Sequence, residues 1–467
     1  MIHPDRCFDA DPQVRRVARD LYEGTRRLPI VSPHGHVDPQ LLATNEPFDN
    51  PTALIVAPDH YILRMLYARG VALESLGVPR RDGVPVESRP RDAWRRFAEH
   101  YDVFRGTPTG LWLDHELHEL FGIEVLNGDN ADRAYDAIAE RLASAEFRPR
   151  ALFERFNIDV LATTDAASDS LEHHAAIQRS GWRGRVIPSF RPDAVFRLAS
   201  RGWREAIREL AAASSRSIDS YDALLGALAE RRAFFKRMGA TATDHGVLEP
   251  FTDIPDREEA ERLFRRGCAG DATMDEQRHW EAYLLMEMGR MSAADGLVMQ
   301  LHAGALRDHN QPLFDRFGPD RGGDIPVATE FTRNLRPLLN AYGNDGDFTL
   351  ILFTLDESTY SREVAPLAGH YPAVRLGAPW WFHDSVEGML RFLERTTETA
   401  GIDKLAGFTD DTRAFCSIPA RHDLARRVQA NWLARLTSRH VIDASDAREL
   451  ARMLAYDLAR KSYKLES

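Results

Sequence analysis

The chain has 467 residues, 43% of them hydrophobic and 28% charged, with a formal net charge of -11. That length suits one barrel carrying a large insertion, or two to three ordinary domains, and the negative balance argues against nucleic acid as a partner, because phosphate binding normally needs a basic footprint. Three widely spaced cysteines, Cys7, Cys268 and Cys416, suit a reducing compartment and offer neither a disulfide framework nor a cysteine zinc site.

The amino terminus has no apolar stretch behind Arg6, so no secretory signal is expected, and the longest apolar runs, such as 348–355, are strand-sized. A cytoplasmic protein with no membrane segment is the expectation. Eight short segments rich in β-branched and aliphatic residues follow one another at 28–32, 158–164, 186–190, 240–243, 297–302, 349–354, 374–377 and 405–409, each succeeded by enough chain for a crossover. Eight strand-helix units predict an α/β fold of the (β/α)8 TIM-like barrel type. The long interval after the first segment carries amphipathic patterns at 61–69, 93–101, 115–121 and 131–146. We therefore read 1–44 and 156–467 as the barrel and 45–155 as a mostly helical insertion over its mouth, with a separate helical domain as the alternative. Two further helices are predicted at 423–438 and 444–464.

Reactive side chains gather at the predicted carboxyl ends of these strands, where α/β barrels keep their chemistry. His34-Gly35-His36 follows the first strand, and imidazoles two residues apart on extended backbone point to the same side and reach one metal ion. Thr163-Thr164-Asp165, Arg191-Pro192-Asp193, Asp244-His245-Gly246, His302, Arg307, Trp380-Trp381 and Asp410-Asp411-Thr412-Arg413 follow the later ones. Asp165 and Asp193 individually read as helix caps, since an Asp before a helix satisfies free amides. Closing a barrel makes its first and eighth strands neighbours. His34, His36 and an Asp of the eighth strand, with His302 near, then form an open mononuclear site for a divalent ion. Alternation along the chain predicts that Asp410 faces away from that site.

These residues together resemble the uronate isomerases, an outlying branch of the metal-dependent amidohydrolase superfamily. The resemblance runs over nearly the whole chain: His34-Gly35-His36, Asp59-His60-Tyr61 with Arg64 and Gly70, Phe190-Arg191-Pro192-Asp193, 299–305, Trp380-Trp381-Phe382 and 411–415. It implies that His34, His36, Asp411 and His302 hold or adjoin one divalent ion, with zinc first and manganese or another divalent ion as alternatives. It implies that Arg191 and Arg413 bind the carboxylate and oxygens of a sugar-acid substrate, with His302, Trp380 and Trp381 beside it, and that Asp411, Arg413, or His60 with Tyr61, serve the proton transfer. The activity implied is aldose-ketose isomerisation of D-glucuronate to D-fructuronate and of D-galacturonate to D-tagaturonate in carbohydrate metabolism, by an enzyme that can form a homo-oligomer.

The chemistry agrees with the residue types. Moving a carbonyl from C1 to C2 means removing a weakly acidic C2 proton, and a divalent ion or a cationic donor beside the developing oxyanion stabilises that charge. Arginine suits a carboxylate because its planar fork makes two parallel charge-assisted hydrogen bonds. The rival reading is a mononuclear hydrolase or deaminase of the same superfamily, which would place a glutamate where Ala305 stands, while a binuclear hydrolase would want a lysine on the fourth strand. A binding protein that kept the barrel and lost the chemistry is a third reading.

Overall fold

The computed structural model describes residues 2–465. Its strands are β1 (Ile30–Ser32), β2 (Ile158–Ala162), β3 (Asp165–Ala166), β4 (Val186–Ile187), β5 (Phe190–Arg191), β6 (Ala242–Val247), β7 (Val298–Ala303), β8 (Ala305–Leu306), β9 (Ile325–Pro326), β10 (Leu350–Thr354) and β11 (Val374–Leu376). All pair in parallel except the small β8–β9 ribbon. The second predicted strand is β2 and β3 broken once, the third is β4 and β5, and backbone bonds through Thr163 and Ser189 carry the ladder across the break. Strand order therefore runs β1, β2/β3, β4/β5, β6, β7, β10, β11, in chain sequence. The fold is a (β/α)8 barrel.

The eighth staves differ from expectation. Residues 405–409 form no ladder and touch β11 through the single bridge Leu376–Leu405. Gly407 explains the stop: its φ is +87°, and a Cβ there would lie 2.6 Å from the backbone nitrogen of Ala459, so the chain turns away where only glycine fits. The barrel closes instead above this point, where the His36 amide donates to the Thr412 carbonyl at 3.0 Å. The first strand is shorter than predicted, since Leu28 is held in a turn on Thr25 and Pro29 has no N–H to donate. The fourth is longer. Asp244, His245 and Gly246 lie inside β6 rather than after it, because Asp244 finds charged partners inside the barrel that a polarity pattern cannot show.

The two expected helix caps, Asp193 and Asp165, also turn out otherwise. Asp193 opens the one-turn helix Asp193–Phe196 without capping it, and its carboxylate accepts from Arg191 Nε at 2.7 Å and the Gly246 amide at 3.2 Å. Asp165 lies within β3 and accepts the Thr163 hydroxyl at 2.7 Å. Near the carboxyl terminus the predicted helices appear as Ile418–Ser438 and as Ala444–Arg452, the latter continuing through a π turn at Met453–Asp457 into Leu458–Ser462. Tyr463 then donates into the barrel, to Gln300 Oε1 at 3.1 Å.

Between β1 and β2 stand the helices His60–Ala68, Pro90–Glu99, Pro108–Phe121, Ala131–Leu142 and Pro149–Arg155. Their apolar faces, including Leu66, Trp94, Phe97, Leu117 and Ile138, form a cluster that continues onto Ile30, Ile158 and Leu161 of the barrel. The predicted helix over 131–146 stops at Leu142, and Ala145–Phe147 makes a separate 3-10 turn. No helix among the described residues is long and apolar enough to cross a membrane.

Glu116, on the helix Pro108–Phe121, is buried, and that burial, helped by the charge of Asp59, pushes its carboxyl up to about 8. An unfolded chain releases the same proton near the ordinary glutamate value of 4.5. Between these two values the folded state binds the extra proton, so this group favours folding at acid pH and its contribution is lost as pH rises through about 8. The expected result is that stability falls less steeply between pH 5 and 8 in Glu116→Gln than in the unaltered chain, by up to about 1.4 kcal/mol per pH unit. Urea midpoints at several pH values measure this, and parallel curves for the two proteins would refute it.

Candidate active site

His34 and His36 leave β1 on the same side, with ring centroids 5.3 Å apart. Asp411 arrives opposite them on the closing segment. Its φ of +42° is a left-handed conformation that costs a non-glycine residue about 1–2 kcal/mol, and the turn aims its carboxylate at both rings. Asp411 Oδ1 lies 3.4 Å from His34 Nε2 and 3.1 Å from His36 Nε2. Burial pushes the Asp411 carboxyl up, but the two imidazoles outweigh it and hold the group well below the usual carboxylate range. Asp410 points the other way, to His422 Nε2 at 3.1 Å.

His302 projects from β7 beside this trio, its ring 4.6 Å from that of His34 and stacked at 4.0 Å on Phe353 of β10. Its Nδ1 meets Asp244 Oδ1 at 2.7 Å. Asp244 is 1% exposed and also faces Arg191 Nη1 at 3.5 Å. Burial alone would neutralise Asp244; Arg191 and His302 outweigh it and keep the carboxyl well below its usual range. Gly246 makes room for this arrangement, since a Cβ there would stand 2.9 Å from the Arg191 guanidinium and from the Asp193 carboxylate. Arg191 is thus clamped between two carboxylates and raised above its ordinary pKa by Asp193 and Asp244 despite burial.

These groups line one cavity of about 320 Å³ together with His60, Tyr61, Trp380, Trp381, Arg413 and Asp320. Arg413 pairs with Asp320 at 2.9 Å. His60 is pushed down to about 3 by burial and by the Arg413 charge, so it is neutral at neutral pH. The Tyr61 hydroxyl lies within hydrogen-bond reach of Asp384 Oδ2 at 2.8 Å and of the Trp381 carbonyl at 2.9 Å. Trp381 packs against His60 at 4.6 Å and donates its indole N–H to the Asp324 carbonyl, while Trp380 meets His302 edge-on at 5.1 Å. The residues given a role above, His34, His36, His60, Tyr61, Arg191, His302, Trp380, Trp381, Asp411 and Arg413, all line this cavity, whereas Asp165, His245 and Asp410 are not among its lining residues.

The donor set fits a divalent ion. Ligand atoms of His34, His36 and Asp411 all lie within 4.8 Å of one another, as do those of His34, Asp244 and His302. His302 Nε2 and His34 Nδ1 are buried with no hydrogen-bond partner among the described residues, and two or three imidazoles with a carboxylate are ligands that zinc and its neighbours accept. Asp244 and Asp320 line this cavity too; the sequence reading names Asp244 without giving it a role and does not single out Asp320. Asp244 stood among the polar residues near a strand end, and the signal that separates it from His245 is the two-residue alternation of β6, which turns Asp244 inward.

A profile of the glucuronate isomerase family matches residues 13–463. The chain belongs to this family. Among its relatives, the uronate isomerase of Nostoc punctiforme is 54% identical over 100% of this chain and 99% of that protein. The crystal structure of glucuronate isomerase from Caulobacter crescentus superposes with a TM-score of 0.98 at 50% identity, covering 100% of this chain and 98% of that one. The uronate isomerase of Thermotoga maritima follows with a TM-score of 0.92, 29% identity and 99% of both chains. Membership fits the site just described, in which two arginines overlook a histidine-carboxylate cluster at the carboxyl ends of barrel strands.

Proposed function

We propose that this isomerase converts D-glucuronate to D-fructuronate and D-galacturonate to D-tagaturonate through an enediol, in the cytoplasm and as a homo-oligomer. The observation that carries the reading is that Arg191 and Arg413 line the same cavity as the His34, His36 and Asp411 cluster. In this reading residues 45–155 are an insertion that brings His60 and Tyr61 to the barrel mouth.

His34, His36 and Asp411, with His302 adjoining, would hold one divalent ion, which we take to be zinc, with manganese or another divalent ion as alternatives. When bound, the ion supplies positive charge beside the substrate oxygens that become anionic in the enediol. The chain's own residues account for the remaining work. Arg413 receives the substrate carboxylate once Asp320 yields it, and Arg191, held rigid by Asp193 and Asp244, faces the oxygens near C1 and C2. Asp411 is ionised at neutral pH and is our choice for the C2 proton, since the Tyr61 hydroxyl is already engaged with Asp384. The proton leaves C2 and returns at C1, while the C2 hydroxyl proton passes to the former carbonyl oxygen. A carboxylate of such low basicity removes this proton only if the enediolate is strongly stabilised, which is the part played by the cationic groups around it.

The direct test is an assay of purified protein with glucuronate and galacturonate, before chelation, after it, and after divalent ions are restored. Ketose formation that chelation abolishes and a divalent ion restores is expected; no isomerisation of either uronate overturns the proposal. Replacing either arginine by lysine keeps the charge and loses the fork. Arg191→Lys and Arg413→Lys are each expected to lower kcat/KM for uronates by roughly 10- to 100-fold, the worth of one charge-assisted hydrogen bond of about 1.5–3 kcal/mol. The unaltered enzyme should discriminate against a neutral aldose of the same length, and equal efficiency with that aldose would remove the case for carboxylate recognition.

A further inference from the structure

A second cavity, of about 490 Å³, lies beside the amino-terminal ends of β1 and β2, bounded by the helices Pro108–Phe121 and Ile418–Ser438. Six arginines line it. That is unexpected for a chain of net charge -11, because the overall field repels anions and leaves no general reason to concentrate guanidinium groups at one place.

The acidic groups nearby neutralise only part of this charge. Arg26 pairs with Glu23 at 2.6 Å. Asp423 is shared, accepting Arg6 at 2.5 Å and Arg427 at 2.8 Å along with the Tyr22 hydroxyl. Glu119 is occupied by His118 at 3.1 Å. Glu116 keeps its proton to about pH 8 for the reason given above. Arg27, Arg155 and Arg426, by contrast, meet no carboxylate at ion-pair distance among the described residues. Arg155 donates to the Glu119 carbonyl at 3.3 Å. Arg426 is 5% exposed. It spends its two Nη groups on the carbonyls of Arg26 and Pro29, at 3.1 and 2.9 Å, and its Nε has no partner. A buried cation satisfied only by neutral carbonyls carries an electrostatic cost, and burial accordingly lowers its pKa to about 10.

We propose that this cavity binds a small dianion, a phosphate monoester or a dicarboxylate, at a site separate from the isomerase centre. Both kinds of ligand offer oxygen pairs that guanidinium forks grip bidentately, and a recessed site strengthens each contact relative to open water. Arg27 and Arg155 reach in from the exposed rim, and Arg426 and Arg427 supply positive charge from the buried wall. The site lies on the same helix as His422, whose ring both lines this cavity and holds Asp410.

The test is a thermal-shift titration of the intact, metal-loaded chain with inorganic phosphate, glycerol 3-phosphate and succinate, at ionic strength held constant with potassium chloride. A saturable rise in Tm with at least one of them is expected, and whether the phosphates or succinate produce it identifies the ligand chemistry. The double variant Arg27→Gln/Arg155→Gln removes two rim charges that support no ion pair, so it should fold and isomerise uronates as before while its half-saturating concentration rises about tenfold or more. No saturable rise with any of the three anions overturns the proposal. So does a rise that the double variant retains unchanged, since the anion would then be sitting in the isomerase cavity.

Discussion

Asp411→Asn is expected to lower kcat by about 10²- to 10⁴-fold, the range over which positioned general acid-base groups act, with a much smaller change in KM. Asparagine preserves shape and removes the charge that faces both His34 and His36. A group that matters mainly as the C2 proton moves affects turnover more than ground-state binding. Steady-state kinetics with glucuronate, together with elemental analysis of bound metal, measure both duties of the residue. Asp410→Asn is the natural control: the same chemical change is made one residue away, on a side chain that faces His422 rather than the cavity, and most of the turnover is expected to survive. Near-unaltered turnover in Asp411→Asn would refute the assignment.

The second large effect is expected at Asp244. This carboxylate is the common partner of Arg191 and His302, and removing one member of a buried charged network leaves the others desolvated and uncompensated. Asp244→Ala should therefore cost about 3–5 kcal/mol of stability, seen as a lower urea midpoint. Asp244→Asn keeps the volume and should cost less stability, yet it still frees the His302 ring, because an amide no longer imposes Nδ1–H and leaves Nε2 directed at the cavity. A loss of kcat/KM in the asparagine variant without a comparable loss of stability is the expected pattern. Full activity in that variant would show that the orientation of His302 is set elsewhere.

The cavity's electrostatics also explain why His60 is a poor candidate for a cationic acid. Burial and the neighbouring Arg413 keep its ring neutral down to about pH 3, so its contribution at neutral pH is that of a neutral donor or acceptor. Arg413 is in turn held by Asp320, a carboxylate that a substrate carboxylate would have to replace.

The amino-acid sequence by itself determined the barrel and the place of its chemistry. Strand-length apolar segments recur with crossover-length spacers, the pattern of a parallel sheet, and their number, eight, is that of the closed barrel, while His34-Gly35-His36 is local geometry that any extended backbone reproduces. Alternation also predicts that Asp410 and Asp411 face opposite ways, and they do, but the left-handed turn at Asp411 rather than an extended strand produces it. What only the tertiary structure decided depends on neighbours distant in the chain. Asp244 looked like strand-end polarity and is a buried carboxylate because Arg191 and His302 converge on it from two other strands. Asp193 looked like a helix cap and is the clamp of Arg191, since the Gly246 backbone lies open beside it. The eighth strand reads as well as the others in apolar pattern, yet it pairs only at Leu405, because Gly407 must pass against Ala459 of the carboxyl-terminal helix. Periodicity reports which face of an element is buried. It carries no information on which charges will meet there, and burial makes those meetings decisive by lowering the dielectric that would otherwise screen them.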